Sequence, residues 1–226
     1  MGDKKNTDKV GGVWFFLSLL FLFLSTIILL PAWANTLFSE LTFTRFRASV
    51  GGIIFGVGIT ALFLRGPIST LIHELKHKVL SGLVGNKAKK VSIDGEEGAF
   101  EYEYTKDTAK YNAFISLAPY FLPLFVILLI PFWGFRFGWG EATRVLILSA
   151  AWAIDLTTGV RDISPHQTDF KDIVGGFRVG IIYVVFMNIL IAMILTAWIA
   201  GDWDGVLGLF SETFVWVTSV VMWIRG

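Results

Sequence analysis

VWFFLSLLFLFLSTIILL, residues 13–30, carries no charged side chain. It is about as long as the ~20 residues an α-helix needs to cross a bilayer. Lys4, Lys5 and Lys9 precede it and Ala32-Trp33-Ala34 follows, the flanks of a cleavable leader. Its apolar stretch exceeds the roughly 7–15 residues of such leaders, so a retained span is expected. Outward from it the same texture recurs. Ser49 to Leu64 is apolar and glycine-rich, and Gly66-Pro67 interrupts it before a helix resumes from Ile68 to about Leu80. Proline suits the first turn of that helix, where its missing N–H has no partner to lose. Further apolar runs cover about Tyr111–Phe135, Thr143–Thr158, Phe177–Ala200 and Val206–Ile224, the last interrupted by Glu212.

About six spans follow, and the expected fold class is an all-α polytopic membrane protein. Charged residues are only 16% of the chain, against about 25% in a soluble domain. One membrane-embedded domain over 1–226 is expected, with its core at about 49–176. A net charge of +1 gives no reason to expect a nucleic-acid partner. The absence of cysteine excludes disulfides, thiolate ligands and a cysteine nucleophile.

Between the second and third runs the texture changes to KAKKVSIDGEEGAFEYEY, residues 87–104. Val91 and Ile93, then Phe100, Tyr102 and Tyr104, alternate with polar residues around a turn from Asp94-Gly95 to Gly98. That pattern predicts a β-hairpin. Pro119 and Pro123 lie inside the third run, where they free backbone groups and kink a span. A gate or water path there is weighed against ordinary packing.

If each run crosses once, Lys4, Lys5 and Lys9, the basic cluster from Lys76 to Lys110, and Arg161, Lys171 and Arg178 share one side with the N-terminus. Arg45, Arg47, Arg136 and Arg144 fall on the other. The excess places the N-terminus toward the cytoplasm.

His73-Glu74-Leu75-Lys76-His77 reads H-E-x-x-H. Four residues apart on a helix, both imidazoles reach one metal ion, while Glu74 stands beside it as general base toward a bound water. Zinc would lower the pKa of that water to about 7 and polarise a substrate carbonyl. The bland alternative is a solvated helix face. Two of the three histidines fall in the motif, and ionisable residues next to an apolar span are costly. A catalytic zinc takes three protein ligands. The residues leave four candidates for the third: Asp155, Asp162, His166 and Asp169.

The chain resembles the site-2-protease family of intramembrane zinc metalloproteases, which pairs H-E-x-x-H with a later N-x-x-P-x-x-x-L-D-G segment. Here the segment is Asp162-Ile163-Ser164-Pro165-His166-Gln167-Thr168-Asp169-Phe170. Aligning the prolines puts Asp169 where the family's ligand falls, with one residue fewer between. Asp162 takes the place of the asparagine that helps to position substrate or oxyanion. Asp thus replaces Asn, and Thr-Asp-Phe replaces Leu-Asp-Gly, and the likeness covers His73 to about Gly176.

The resemblance implies one zinc ion held by His73, His77 and Asp169, and hydrolysis of membrane-anchored proteins near the cytoplasmic face. It also implies that the hairpin edge pairs with an extended substrate, against the alternative of a hairpin lying on lipid headgroups. Two other readings stand beside it. A membrane metalloprotease of the prenyl-protein and heat-shock type would need a later Glu as ligand, for which Glu141 and Glu212 are the candidates. A non-enzymatic metal- or partner-binding protein would close the site with a fourth ligand such as His166. Self-association of the chain is left open.

Overall fold

The computed structural model describes residues 11–94, 97–133, 139–171 and 173–225. Lys4, Lys5, Lys9, Gly95 and Arg136 lie outside them. Within them the chain is mostly helical. It runs α1 (Val13–Glu40), α2 (Phe43–Phe63), α3 (Pro67–Leu83), β1 (Lys87–Asp94), β2 (Glu97–Glu103), α4 (Asn112–Phe121), α5 (Leu124–Trp133), α6 (Glu141–Asp162), α7 (Thr168–Lys171) and α8 (Gly176–Arg225).

Helices α1, α2, α6 and α8 are long and apolar enough to cross a membrane. The third expected span is broken: residues 109–121 and 124–133 meet at 81°, and count as a fifth span only if taken together. The break falls at Leu122-Pro123, because proline cannot donate to the preceding turn. Helix α1 runs on past Pro31, and its Trp33 indole donates to Thr196 on α8.

Helix α8 covers two of the expected spans. Asp202 inside it has non-helical angles, with φ at 59°. In a straight helix, residues 197 and 205 would stand about 12 Å apart. Here a Cβ at Gly205 would overlap the Ala197 carbonyl oxygen, so the chain folds back at Asp202. Its carboxylate holds the turn by accepting from the Trp133 and Trp198 indoles and from Arg144.

Helices α2 and α6 pack through glycine. A Cβ at Gly52 would overlap the Leu146 carbonyl oxygen, and one at Gly56 that of Ala150. Small residues let two helix backbones approach in an apolar medium. Charged groups gather at two poles. Arg45 pairs with Glu141, and Arg144 with Asp202 at 2.8 Å, at one of them. His73, Asp162 and Asp169 meet at the other.

The hairpin forms as the alternation predicts. Strands β1 and β2 pair antiparallel, with Val91 opposite Phe100 and an irregularity between Ala88 and Lys90. A core of Ile115, Leu117, Tyr120, Phe170, Ile173 and Tyr183 joins α4, α7 and α8 and takes in Leu80 of α3.

Candidate metal centre

Gly66, at φ 55°, turns the chain between α2 and α3, and Pro67 starts α3 as its first residue. Four residues apart on α3, the His73 and His77 rings lie 5.1 Å centre to centre. The Nε2 atoms of both turn to one carboxylate. That of His73 is 3.1 Å from Asp169 Oδ2, and that of His77 is 3.5 Å from Asp169 Oδ1. One ligand atom from each of the three residues lies within 4.8 Å of the others. Donors on a tetrahedral ion at 2.0–2.1 Å stand about 3.3 Å apart, so the three can close on one cation with little movement.

The outer nitrogens are also assigned. His77 Nδ1 donates to the Ile115 carbonyl oxygen at 2.8 Å, and His73 Nδ1 faces Asp162 Oδ2 at 3.2 Å. Carbonyl and carboxylate partners of this kind fix the tautomer of a ligating histidine and leave the other nitrogen's lone pair for the metal. Tyr120 donates to Asp169 Oδ2 at 2.8 Å. Asp169 is carried by the four-residue helix α7, which Phe170 anchors. Phe170 is fully buried, against Tyr120 and against Gly180, where a Cβ would come within 2.6 Å of its ring.

Helices α3 and α7 lie outside the candidate spans. Burial disfavours the His73 imidazolium, but hydrogen bonds to Asp162 and Asp169 outweigh it and hold its pKa up at about 9. Burial likewise acts to raise the Asp169 carboxyl, yet hydrogen bonds to His73 and His77 dominate and hold it low. Glu74 is buried, and that burial pushes its carboxyl up, countered in part by His77 and His73. Glu74 lines a cavity of about 1140 Å³ together with His73 and Asp162. Strand β2 packs over it: a Cβ at Gly98 would lie 2.6 Å from Glu74 Oε1.

Of the four candidates for third ligand, only Asp169 joins the two imidazoles. Asp162 contacts His73 from behind, through Nδ1. His166 is exposed, and its backbone N–H bonds to Ser164 Oγ. Asp155 belongs to a different cluster. Its Oδ2 accepts from the backbone N–H of Phe125 at 2.8 Å and of Val126 at 3.3 Å, and Lys76 lies beside its Oδ1. Glu141 pairs with Arg45 at the opposite pole and Glu212 is exposed. Neither belongs to the His73, His77 and Asp169 group, the one set of three such ligands among the described residues.

Sequence reasoning did not find Tyr120, the Ile115 carbonyl, Phe170 or Lys76. A tyrosine hydroxyl within an apolar run needs a hydrogen-bond partner, and that signal could have drawn attention to Tyr120. The Ile115 carbonyl leaves no trace in the side-chain sequence.

Comparison with family models, with curated proteins and with solved structures gives no match. The geometry of the site is what bears on function.

Proposed function

We propose that this chain is an intramembrane zinc metallopeptidase of the site-2-protease type, hydrolysing peptide bonds of membrane-anchored proteins. The convergence of His73 and His77 Nε2 on Asp169, with each Nδ1 engaged from behind, is the observation that carries the reading. Two imidazoles and one carboxylate suit zinc and leave a coordination position for water. When bound, zinc supplies a Lewis acid and a water of lowered pKa.

The residues of the chain do the remaining work. Glu74 takes the proton of the attacking water and delivers it to the leaving amine. Its burial raises its proton affinity against the pull of His77 and His73, which suits a group that must accept and then return a proton. Asp162 holds the His73 ring through Nδ1, and Tyr120 and Phe170 hold Asp169. The two-stranded sheet keeps an outer edge on β2, whose Gly98 lies beside Glu74. An unwound substrate strand added there would gain main-chain hydrogen bonds next to the base. The excess of Lys and Arg on the side of the motif favours a site facing the cytoplasm.

The test is Glu74→Gln in the full chain, reconstituted with zinc and a membrane-anchored reporter. Bound zinc should stay at the wild-type level while cleavage falls by about 10²–10⁴-fold, the usual contribution of a general base. Undiminished cleavage in that variant overturns the proposed mechanism.

A further inference from the structure

Two guanidinium groups line the same cavity as His73 and Glu74. Arg65 sits in the turn between α2 and α3, exposed, and has no ion-pair partner among the described residues. Arg161, in the last turn of α6, donates to Ser69 Oγ and forms a loose ion pair with Asp162, its Nε lying 3.7 Å from Oδ1. Ser69 lies on the same cavity wall, so its bond to Arg161 ties the end of α6 to the start of α3, next to the turn that carries Arg65.

Arg65 differs from the arginines of the opposite pole, since Arg45 and Arg144 each hold a carboxylate. Of the cavity's carboxylates, Asp162 contacts His73 as well as Arg161, and Glu74 is buried beside Gly98. The cavity lining also includes the Thr157 hydroxyl on α6 and the Gln167 amide just before α7. Polar groups of that kind suit an extended peptide better than an acyl chain.

We propose that Arg65 and Arg161 form an anion subsite that selects peptides with a carboxylate close to the bond presented to Glu74. This rests on the proteolytic reading. The carboxylate is either an acidic side chain or the free C-terminus of the peptide. Arginine is suited to both, because its planar fork matches the two oxygens of a carboxylate.

The test uses the zinc-loaded Glu74→Gln chain in phosphatidylcholine nanodiscs and three fluorescent peptides of one apolar sequence. One carries Glu and a C-terminal amide, one carries Gln and a free C-terminus, and one carries Gln and an amide. At least one carboxylate peptide should bind about 10- to 100-fold more tightly than the neutral one, the range for hydrogen bonds to a charged group. Which of them does so identifies the source of the carboxylate. Arg65→Gln and Arg161→Gln should each bring that peptide close to the neutral one. Arg65 is exposed, so its replacement keeps the test sound if the Arg161 variant does not fold. Equal affinity of all three peptides, or no binding of any, overturns the subsite. So does arginine-dependent binding of phosphatidylglycerol in place of the peptide preference. Cleavage of the same peptides by the wild-type chain reports separately on proteolysis: carboxylate-dependent binding without cleavage supports the subsite and sinks the peptidase reading alone.

Discussion

Lys76 Nζ lies 3.3 Å from Asp155 Oδ1, and both side chains are buried. Lys76 is one of the two unspecified positions of the H-E-x-x-H motif, and Asp155 was a candidate metal ligand. The pair ties the motif helix to α6. The same lysine reaches the Pro119 carbonyl at 3.4 Å, while Asp155 caps the first turn of α5 after the proline break. One ion pair therefore ties α3, α4, α5 and α6 together around the candidate metal centre.

Removing one partner should leave the other charge stranded. Lys76→Met is expected to cost about 3–5 kcal/mol of stability. The double variant Lys76→Met with Asp155→Leu should recover part of that loss, because no charge is then buried alone. Thermal unfolding in detergent, followed by intrinsic tryptophan fluorescence, compares the two. A double variant less stable than Lys76→Met would show that the α5 cap, and not the ion pair, dominates.

Metal content should sort the candidate ligands. Asp169→Ala and His77→Ala are expected to lose bound zinc, while the exposed His166 can be replaced by alanine with zinc unchanged. Asp162→Asn should retain zinc with about 10–100-fold weaker affinity, the usual effect of altering a group that orients a ligand. Competition against a zinc-sensitive dye measures each one. Full affinity in Asp169→Ala would remove it from the coordination set.

Gly98 is the point where the hairpin meets Glu74, the proposed base. An added Cβ would fall 2.6 Å from both Glu74 Oε1 and Thr70 Cγ2, so something must shift. Gly98→Val should leave zinc binding intact and slow cleavage of a membrane-anchored reporter by at least about tenfold, since a 1 Å misplacement can cost 10²-fold. Wild-type turnover in Gly98→Val would separate the hairpin from catalysis.

The approach of α2 to α6 depends on Gly56. Valine there would overlap the Ala150 carbonyl oxygen and lie 2.8 Å from Ala153 Cβ. A cost of about 1–3 kcal/mol is expected for such overpacking. Gly58 meets nothing within 4 Å, so Gly58→Ala serves as the control. Thermal unfolding of the two variants in detergent should differ clearly, and equal midpoints would contradict close packing at Gly56.

Local pattern by itself determined the long apolar helices, the hairpin over residues 87–104, the proline break at Pro123 and the pairing of His73 with His77 on one helix face. Each of these depends on periodicity or on backbone chemistry within a few neighbouring residues. The return of α8 at Asp202 was visible as two apolar runs, but the tryptophan and arginine partners that hold it come from distant segments. Which of Asp155, Asp162, His166 and Asp169 stands beside both imidazoles was decided only by tertiary structure. All four lie within fifteen residues and carry metal-ligating atoms, so type and spacing do not separate them. Lys76 claims Asp155, the outer face of His73 takes Asp162, and burial of Phe170 turns Asp169 inward. Those are contacts across some 50 to 100 residues of chain, and coordination depends on distances of a few ångströms that only the packed fold sets.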